Sequence, residues 1–191
     1  METLTEQQIY EIIKALNEAK IVAVPTETVY GLAVKLDSER AVLKLMGWKD
    51  RGIESGKVFT LMVADKKEIE NYAQVSNVAG RIIEKYFPGE LTLVLPKNEQ
   101  FKHFYFDNFE TIGMRVPDHK FMLELLRQTG PLLVTSANLR GGEPAKSFEE
   151  VEKLGIDVVV RGETGGSLPS TIVKIENEEI KILRQGELRV V

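Results

Sequence analysis

Four short stretches hold the side chains able to do chemistry. The first is Pro25-Thr26-Glu27-Thr28-Val29-Tyr30-Gly31-Leu32, where hydroxyls, a carboxylate and a phenol follow the apolar run Ile21-Val22-Ala23-Val24. That run reads as a buried strand. Proline ends a central ladder, and Gly31 permits a sharp change of direction. Open α/β sheets bind ligands at such strand ends, although ordinary turn chemistry also accounts for a Pro-Thr-Glu-Thr run. The second stretch, Lys49-Asp50-Arg51, follows a helix-like segment and by itself reads as a solvated charged loop. In the third, Thr111-Ile112-Gly113-Met114-Arg115-Val116-Pro117, a strand pattern carries one arginine. Its planar fork suits a carboxylate or phosphate, and a surface salt bridge is the plain alternative. The fourth, Leu132-Leu133-Val134-Thr135-Ser136-Ala137-Asn138, is another apolar strand running into a hydroxyl-rich turn.

The elements around these stretches alternate between helix and strand. Thr5 with Gln8 makes a capping box before Ile9, Ile12, Ile13 and Leu16, which share a helical face. Ser38 caps a helix reaching about Trp48, and Asp65, Ser76, Asp118 and Ser147 are further helix starts. Strands are expected near 29–36, 58–63, 91–95 and 158–160. A closing hairpin is expected from Thr171–Glu176 and Ile180–Arg184, turning at Asn177-Glu178-Glu179. Pro88-Gly89 is a breaker, and the glycine-rich loop Gly162 to Gly166 leads to Ser170. The aromatic segment Phe101–Asn108, with His103, reads as loop packing, a lid or a platform for stacking RNA bases. With no repeat, low-complexity run or linker, the expectation is one α/β (α+β) domain over residues 1–191 with a mixed, twisted sheet.

Composition narrows the classes. At 191 residues, with 43% hydrophobic and 28% charged, the chain is long enough to bury one substantial core. It has no cysteine, which excludes disulfides, thiolate nucleophiles and cysteine zinc sites. The N-terminus, acidic and polar, is unlike a secretory signal, and no run is long enough to span a bilayer, so a cytoplasmic location and no membrane partner are expected. A net charge of −4 disfavours a protein whose main task is to hold a nucleic-acid backbone, so direct nucleic-acid binding is expected to be weak or absent. Gly52…Gly56-Lys57-Val58 falls one residue short of a P-loop, and Arg140…Ala145-Lys146-Ser147 lacks both its glycines. His103 and His119 stand apart, so no metal site is expected. Ser136 has no G-x-S-x-G elbow around it, which points to hydrogen bonding rather than nucleophilic attack.

Together the stretches resemble the YrdC-like threonylcarbamoyl-AMP synthase family, of the single-domain TsaC type. The matching pieces are PTETVYGL (25–32), KDR (49–51), FPGELTLVLP (87–96), TIGMRVPDH (111–119), TSAN (135–138), PSTIV (169–173) and ILRQG (182–186), in the family's order and over nearly the whole chain. The resemblance implies a YrdC-like open sheet flanked by helices. It also implies a nucleotidyltransferase joining L-threonine, bicarbonate and ATP into threonylcarbamoyl-AMP and pyrophosphate. The product would pass to a transferase complex that makes N6-threonylcarbamoyladenosine in tRNA. Mg²⁺ would bridge the phosphates. Such chemistry rests on positioning and electrostatics.

By the resemblance, Thr28, Tyr30, Arg115, Ser136 and Ser170 are threonine-site positions, Arg115 taking the carboxylate. Lys49, Arg51, Lys57, Thr111, Asn138, Ser147 and Arg184 are ATP-site positions, with Lys49 and Arg51 catalytic and facing the phosphates. Ser147 also reads as a plain helix cap, and Thr111 as a cross-strand hydroxyl. After Arg51 the chain departs from the family pattern: residues 51–59 run two residues longer and lack both prolines, which points to a closing loop at 52–57. The further C-terminal domain of longer relatives is expected to be absent. Two other functions remain open on the sequence: a carbamoyl-adenylate-forming enzyme of the same fold, and an RNA- or ribosome-binding factor.

Overall fold

The computed structural model describes residues 1–49 and 59–190. In chain order the elements are β1 (Glu2–Thr5), α1 (Ile9–Asn17), β2 (Val22–Val24), β3 (Gly31–Lys35), α2 (Glu39–Trp48), β4 (Thr60–Met62) and a 3-10 helix (Lys66–Asn71). Then come α3 (Asn77–Tyr86), β5 (Leu91–Pro96), β6 (Thr111–Arg115), α4 (Lys120–Thr129), β7 (Leu132–Ser136), α5 (Phe148–Glu152), β8 (Val158–Arg161), β9 (Thr171–Glu176) and β10 (Glu179–Arg184). The strands form one ten-stranded sheet in the order β1-β8-β2-β3-β7-β4-β6-β5-β9-β10. It is mixed and open, with parallel pairs at β1/β8, β2/β8, β4/β6 and β5/β9 and β1 and β10 at its edges.

Strand alternation divides the core between the two faces. Ala23, Leu61, Leu91, Leu93, Leu95, Ile112, Met114, Leu133, Val159 and Val173 belong to the larger apolar cluster. Their neighbours Val22, Val24, Met62, Leu132, Val134, Val158 and Val160 belong to the second. On that second side α1 contributes Ile12 and Leu16, and α4 contributes Phe121, Met122, Leu125 and Leu126. In β4, β5, β6 and β9 the residues on this side are Thr60, Thr92, Val94, Thr111, Gly113, Arg115, Ile172 and Lys174, which border a cavity. A face carrying hydroxyls, a glycine and cations between leucines is built to receive something polar.

Helix starts follow the expected chemistry in three cases. Ser38, Ser76 and Ser147 accept from the backbone N–H three residues on, and caps of this kind contribute about 1 kcal/mol each. Asp118 does not cap α4. The helix starts later, at Lys120, with His119 before it, and the Asp118 N–H donates to Glu27 Oε1 at 2.9 Å. Asp65 opens a 3-10 helix. The N-terminal residues pair as β1 along β8, a strand the polar sequence did not announce. The aromatic segment is neither lid nor stacking platform: Tyr105 and Phe106 are buried in the larger cluster, and Tyr105 stacks on Phe59.

Candidate functional site

A cavity of about 840 Å³ opens on the part of this face that α1 and α4 leave uncovered. Thr28, Tyr30, Thr111, Arg115, Ser136, Ser170 and Arg184 all line it, so residues from distant parts of the chain converge there. Among the described residues no carboxylate lines it, while Arg115, Lys174, Lys181 and Arg184 do. A chain of net negative charge therefore holds a cavity suited to anions.

The 26–30 loop is fixed from below by the glycine-rich loop. Gly165 N donates to Thr26 O at 3.2 Å and Gly166 N to Thr28 O at 3.0 Å. A Cβ on Gly165 would stand 2.6 Å from Glu27 O, so only glycine lets the two loops meet this closely. Within the loop, Thr26 Oγ1 donates its one proton to Val29 O at 2.7 Å. In the 3.0 Å contact between Thr26 Oγ1 and Thr28 Oγ1, Thr28 must therefore be the donor. Thr28 Oγ1 also accepts from Arg115 Nη2 at 3.2 Å. Its proton is committed and it offers the cavity only an acceptor.

Ser136 reaches the same state by another route. Its hydroxyl donates to Asn138 Oδ1 at 2.7 Å, which leaves its lone pairs to the cavity. The turn is tied by Lys49, whose ammonium donates to Ser136 O at 3.0 Å, Asn138 O at 2.8 Å and Asn138 Oδ1 at 2.9 Å. Lys49 is 1% exposed. A buried ammonium needs acceptors for its donors, and those turn oxygens supply them. Lys49 thus ties the turn that carries Ser136 and Asn138. Asn138 is likewise occupied, with Nδ2 donating to Leu139 O and Gly142 O, and it does not border the cavity. Ser147 caps α5 and lies outside the lining. Arg51 and Lys57, with the proposed closing loop 52–57, lie outside the described residues.

On the opposite wall the hydroxyls are donors. Thr92 Oγ1 and Ser170 Oγ are 2.9 Å apart and both buried. One of their two protons lies between them and the other is left for a ligand oxygen. Arg184 Nη2 reaches Ser170 Oγ at 3.2 Å and Ser170 O at 2.8 Å. A bulge puts it there. Ile182 pairs Val173, but Arg184, not Leu183, pairs Ile172, so the extra residue turns Arg184 toward the cavity. Burial, and then the charge of Arg115, lower the pKa of Arg184.

Arg115 ends β6. Its Nη2 donates to Glu27 Oε1 at 2.8 Å, while its buried Nε has no hydrogen-bond partner among the described residues. Tyr30 contributes a wall rather than a hydroxyl, because its phenol contacts Val160 O and Gly162 O at 3.0 and 2.8 Å. Burial raises its pKa.

The family model of the Sua5, YciO and YrdC proteins, described as "Telomere recombination", matches residues 14–186. The chain belongs to that family. It is 34% identical over 185 residues to the threonylcarbamoyl-AMP synthase of Photobacterium profundum, covering 93% of this chain and 98% of that one. The Escherichia coli threonylcarbamoyl-AMP synthase is 35% identical over 190 residues, covering 96% of this chain and 98% of its own. Among solved structures, P. abyssi Sua5 complexed with L-threonine superimposes with a TM-score of 0.85 at 28% identity. The match covers 96% of this chain and 56% of Sua5, so this chain spans little more than half of that protein.

Sequence reasoning noted Thr26 and Glu27 only as part of a polar strand end, and it missed Thr60, Thr92, Lys174 and Lys181. A signal was present in Leu91-Thr92-Leu93-Val94-Leu95, where a hydroxyl interrupts one face of an otherwise apolar strand buried on both sides.

Proposed function

We propose that this protein is a threonylcarbamoyl-AMP synthase, condensing L-threonine, bicarbonate and ATP to threonylcarbamoyl-AMP, pyrophosphate and water. One observation carries the reading: a single cavity pairs hydroxyls that can only accept, Thr28 and Ser136, with a guanidinium, Arg115, beside them. That pattern fits the amine and carboxylate of an amino acid. The curated relatives bear this activity in their names, and the related Sua5 was solved with L-threonine.

Arg115 holds the threonine carboxylate, and Thr28 and Ser136 accept from its amine. The neutral amine attacks the carbon derived from bicarbonate, forming the C–N bond of a carbamate as water leaves. A carbamate oxygen then attacks the α-phosphorus, and the bond from that phosphorus to the α,β-bridging oxygen breaks as pyrophosphate departs. No covalent enzyme intermediate is needed. Orientation and cationic stabilisation of the phosphates supply the catalysis. Arg184 and Thr111 serve the nucleotide, and the Thr92–Ser170 pair donates to a substrate oxygen.

Mg²⁺ fits only as a companion of ATP. Among the described residues no cluster of His, Cys, Asp or Glu could hold a metal ion and no carboxylate lines the cavity. The ion would ride on phosphate oxygens and water. The reaction is cytoplasmic in this reading, and its product goes to a transferase complex acting on tRNA. No helix among the described residues is long and apolar enough to cross a membrane. Pyrophosphate release, measured with threonine and bicarbonate omitted in turn, tests the proposal. Release must fall to background without either one, and full release in the absence of threonine would refute it.

A further inference from the structure

The β9–β10 hairpin sets Lys174 and Lys181 directly opposite one another. Both line the cavity, and so does Arg184 on the same hairpin. Like charges placed directly across an antiparallel pair are destabilising. Lysines that merely blunt a sheet edge have no need to be paired in this way. Lys174 has a local counter-charge, its ammonium donating to Glu176 Oε1 at 2.6 Å. Lys181 makes no hydrogen bond or close ion pair among the described residues and shares the same Glu176 as its counter-charge. One carboxylate thus stands against two lysines and Arg184, and none lines the cavity among those residues, so a net positive charge at this end is left for a ligand to neutralise.

The register gives the place of this charge relative to the rest of the wall. Lys174 pairs Val94, and Val94 pairs Gly113, so Lys174 lies two strands from Gly113, roughly 10 Å at ordinary strand spacing, and Lys181 one strand further. Arg115, beyond Gly113 on the same strand face, is already engaged by Glu27 and Thr28. An arginine fork matches one planar carboxylate, whereas flexible lysine point charges suit a phosphate chain.

We propose that Lys174, Lys181 and Arg184 form an anion subsite that takes the phosphate chain of the nucleotide, separate from the carboxylate position at Arg115. This rests on ATP being the substrate and names the residues that hold its charge from the β9–β10 side.

Inorganic triphosphate is the probe, titrated calorimetrically into the wild-type chain, the Lys174→Gln/Lys181→Gln double variant and Lys120→Gln, which removes a charge on α4 away from the cavity. The double variant should lose about tenfold or more in affinity for triphosphate and ATP, while threonine and adenosine binding stay within about twofold. Lys120→Gln should bind like the wild type. Relief of the like-charge pair should leave the melting temperature of the double variant unchanged or higher, so lost binding will not reflect lost folding. Unchanged triphosphate affinity in the double variant, an equal loss in Lys120→Gln, or no triphosphate binding by the wild type would each overturn the subsite. If triphosphate binds through these lysines but ATP yields no pyrophosphate with threonine and bicarbonate, the subsite stands and the catalytic reading falls.

Discussion

Arg115 Nη2 lies 2.8 Å from Glu27 Oε1, and the two side chains are 5% and 12% exposed. The same carboxylate oxygen accepts Asp118 N at 2.9 Å. Glu27 therefore ties together the loop after β2, the end of β6 and the approach to α4, and it fixes the guanidinium that faces the cavity. Burying such a pair is costly for both charges, and its net contribution to stability is small. Its value lies in orientation.

Removing one partner should expose that cost. Glu27→Ala leaves Arg115 buried and uncompensated and should destabilise the protein by about 3–5 kcal/mol. Urea unfolding checks this. Glu27→Gln, which keeps an acceptor oxygen, should lose less stability and retain more threonine affinity.

Arg115→Lys should weaken threonine binding far more than ATP binding. Lysine keeps the charge but loses the fork shared among Glu27, Thr28 and a carboxylate. Calorimetric titration of each ligand separates the effects, and an unchanged threonine affinity would remove Arg115 from the amino-acid site.

Thr92→Val keeps the shape of the wall but deletes the partner of Ser170 Oγ. The predicted result is a higher KM for threonine with a small change in kcat, and recovery in Thr92→Ser. A loss equal to about one hydrogen bond, roughly 0.5–1.5 kcal/mol, is expected in the KM term.

Two glycines should respond in opposite directions to alanine. At Gly47, in α2, no atom of the described residues lies within 4 Å of where a methyl group would stand, so Gly47→Ala should stabilise by about 0.5–1 kcal/mol. At Gly165 the methyl would strike Glu27 O at 2.6 Å, forcing the 26–30 loop to shift. Melting curves and threonine titrations of the two variants should diverge accordingly.

The sequence made the strand ends legible because polar residues follow apolar runs at Val24 and Val134, and a proline closes the run at Arg115. It also placed three serine caps, whose chemistry is local. It did not reveal β1, since a polar edge strand needs only the backbone of β8 to pair with. The tie that Lys49 makes to the turn was hidden for a related reason. The position of the lysine after α2 was clear, but only the fold brings the Ser136–Asn138 oxygens to its ammonium. Lys174 and Lys181 were silent because their meaning depends on register, and the bulge that turns Arg184 inward leaves no mark in residue type.

Isotope transfer tests the central claim most directly. With ¹³C-bicarbonate, L-threonine and ATP, mass spectrometry should find one product that contains AMP, threonine and the labelled carbon together, formed in step with pyrophosphate. An adenylate carrying the labelled carbon but no threonine, or label absent from every nucleotide product, would contradict the account.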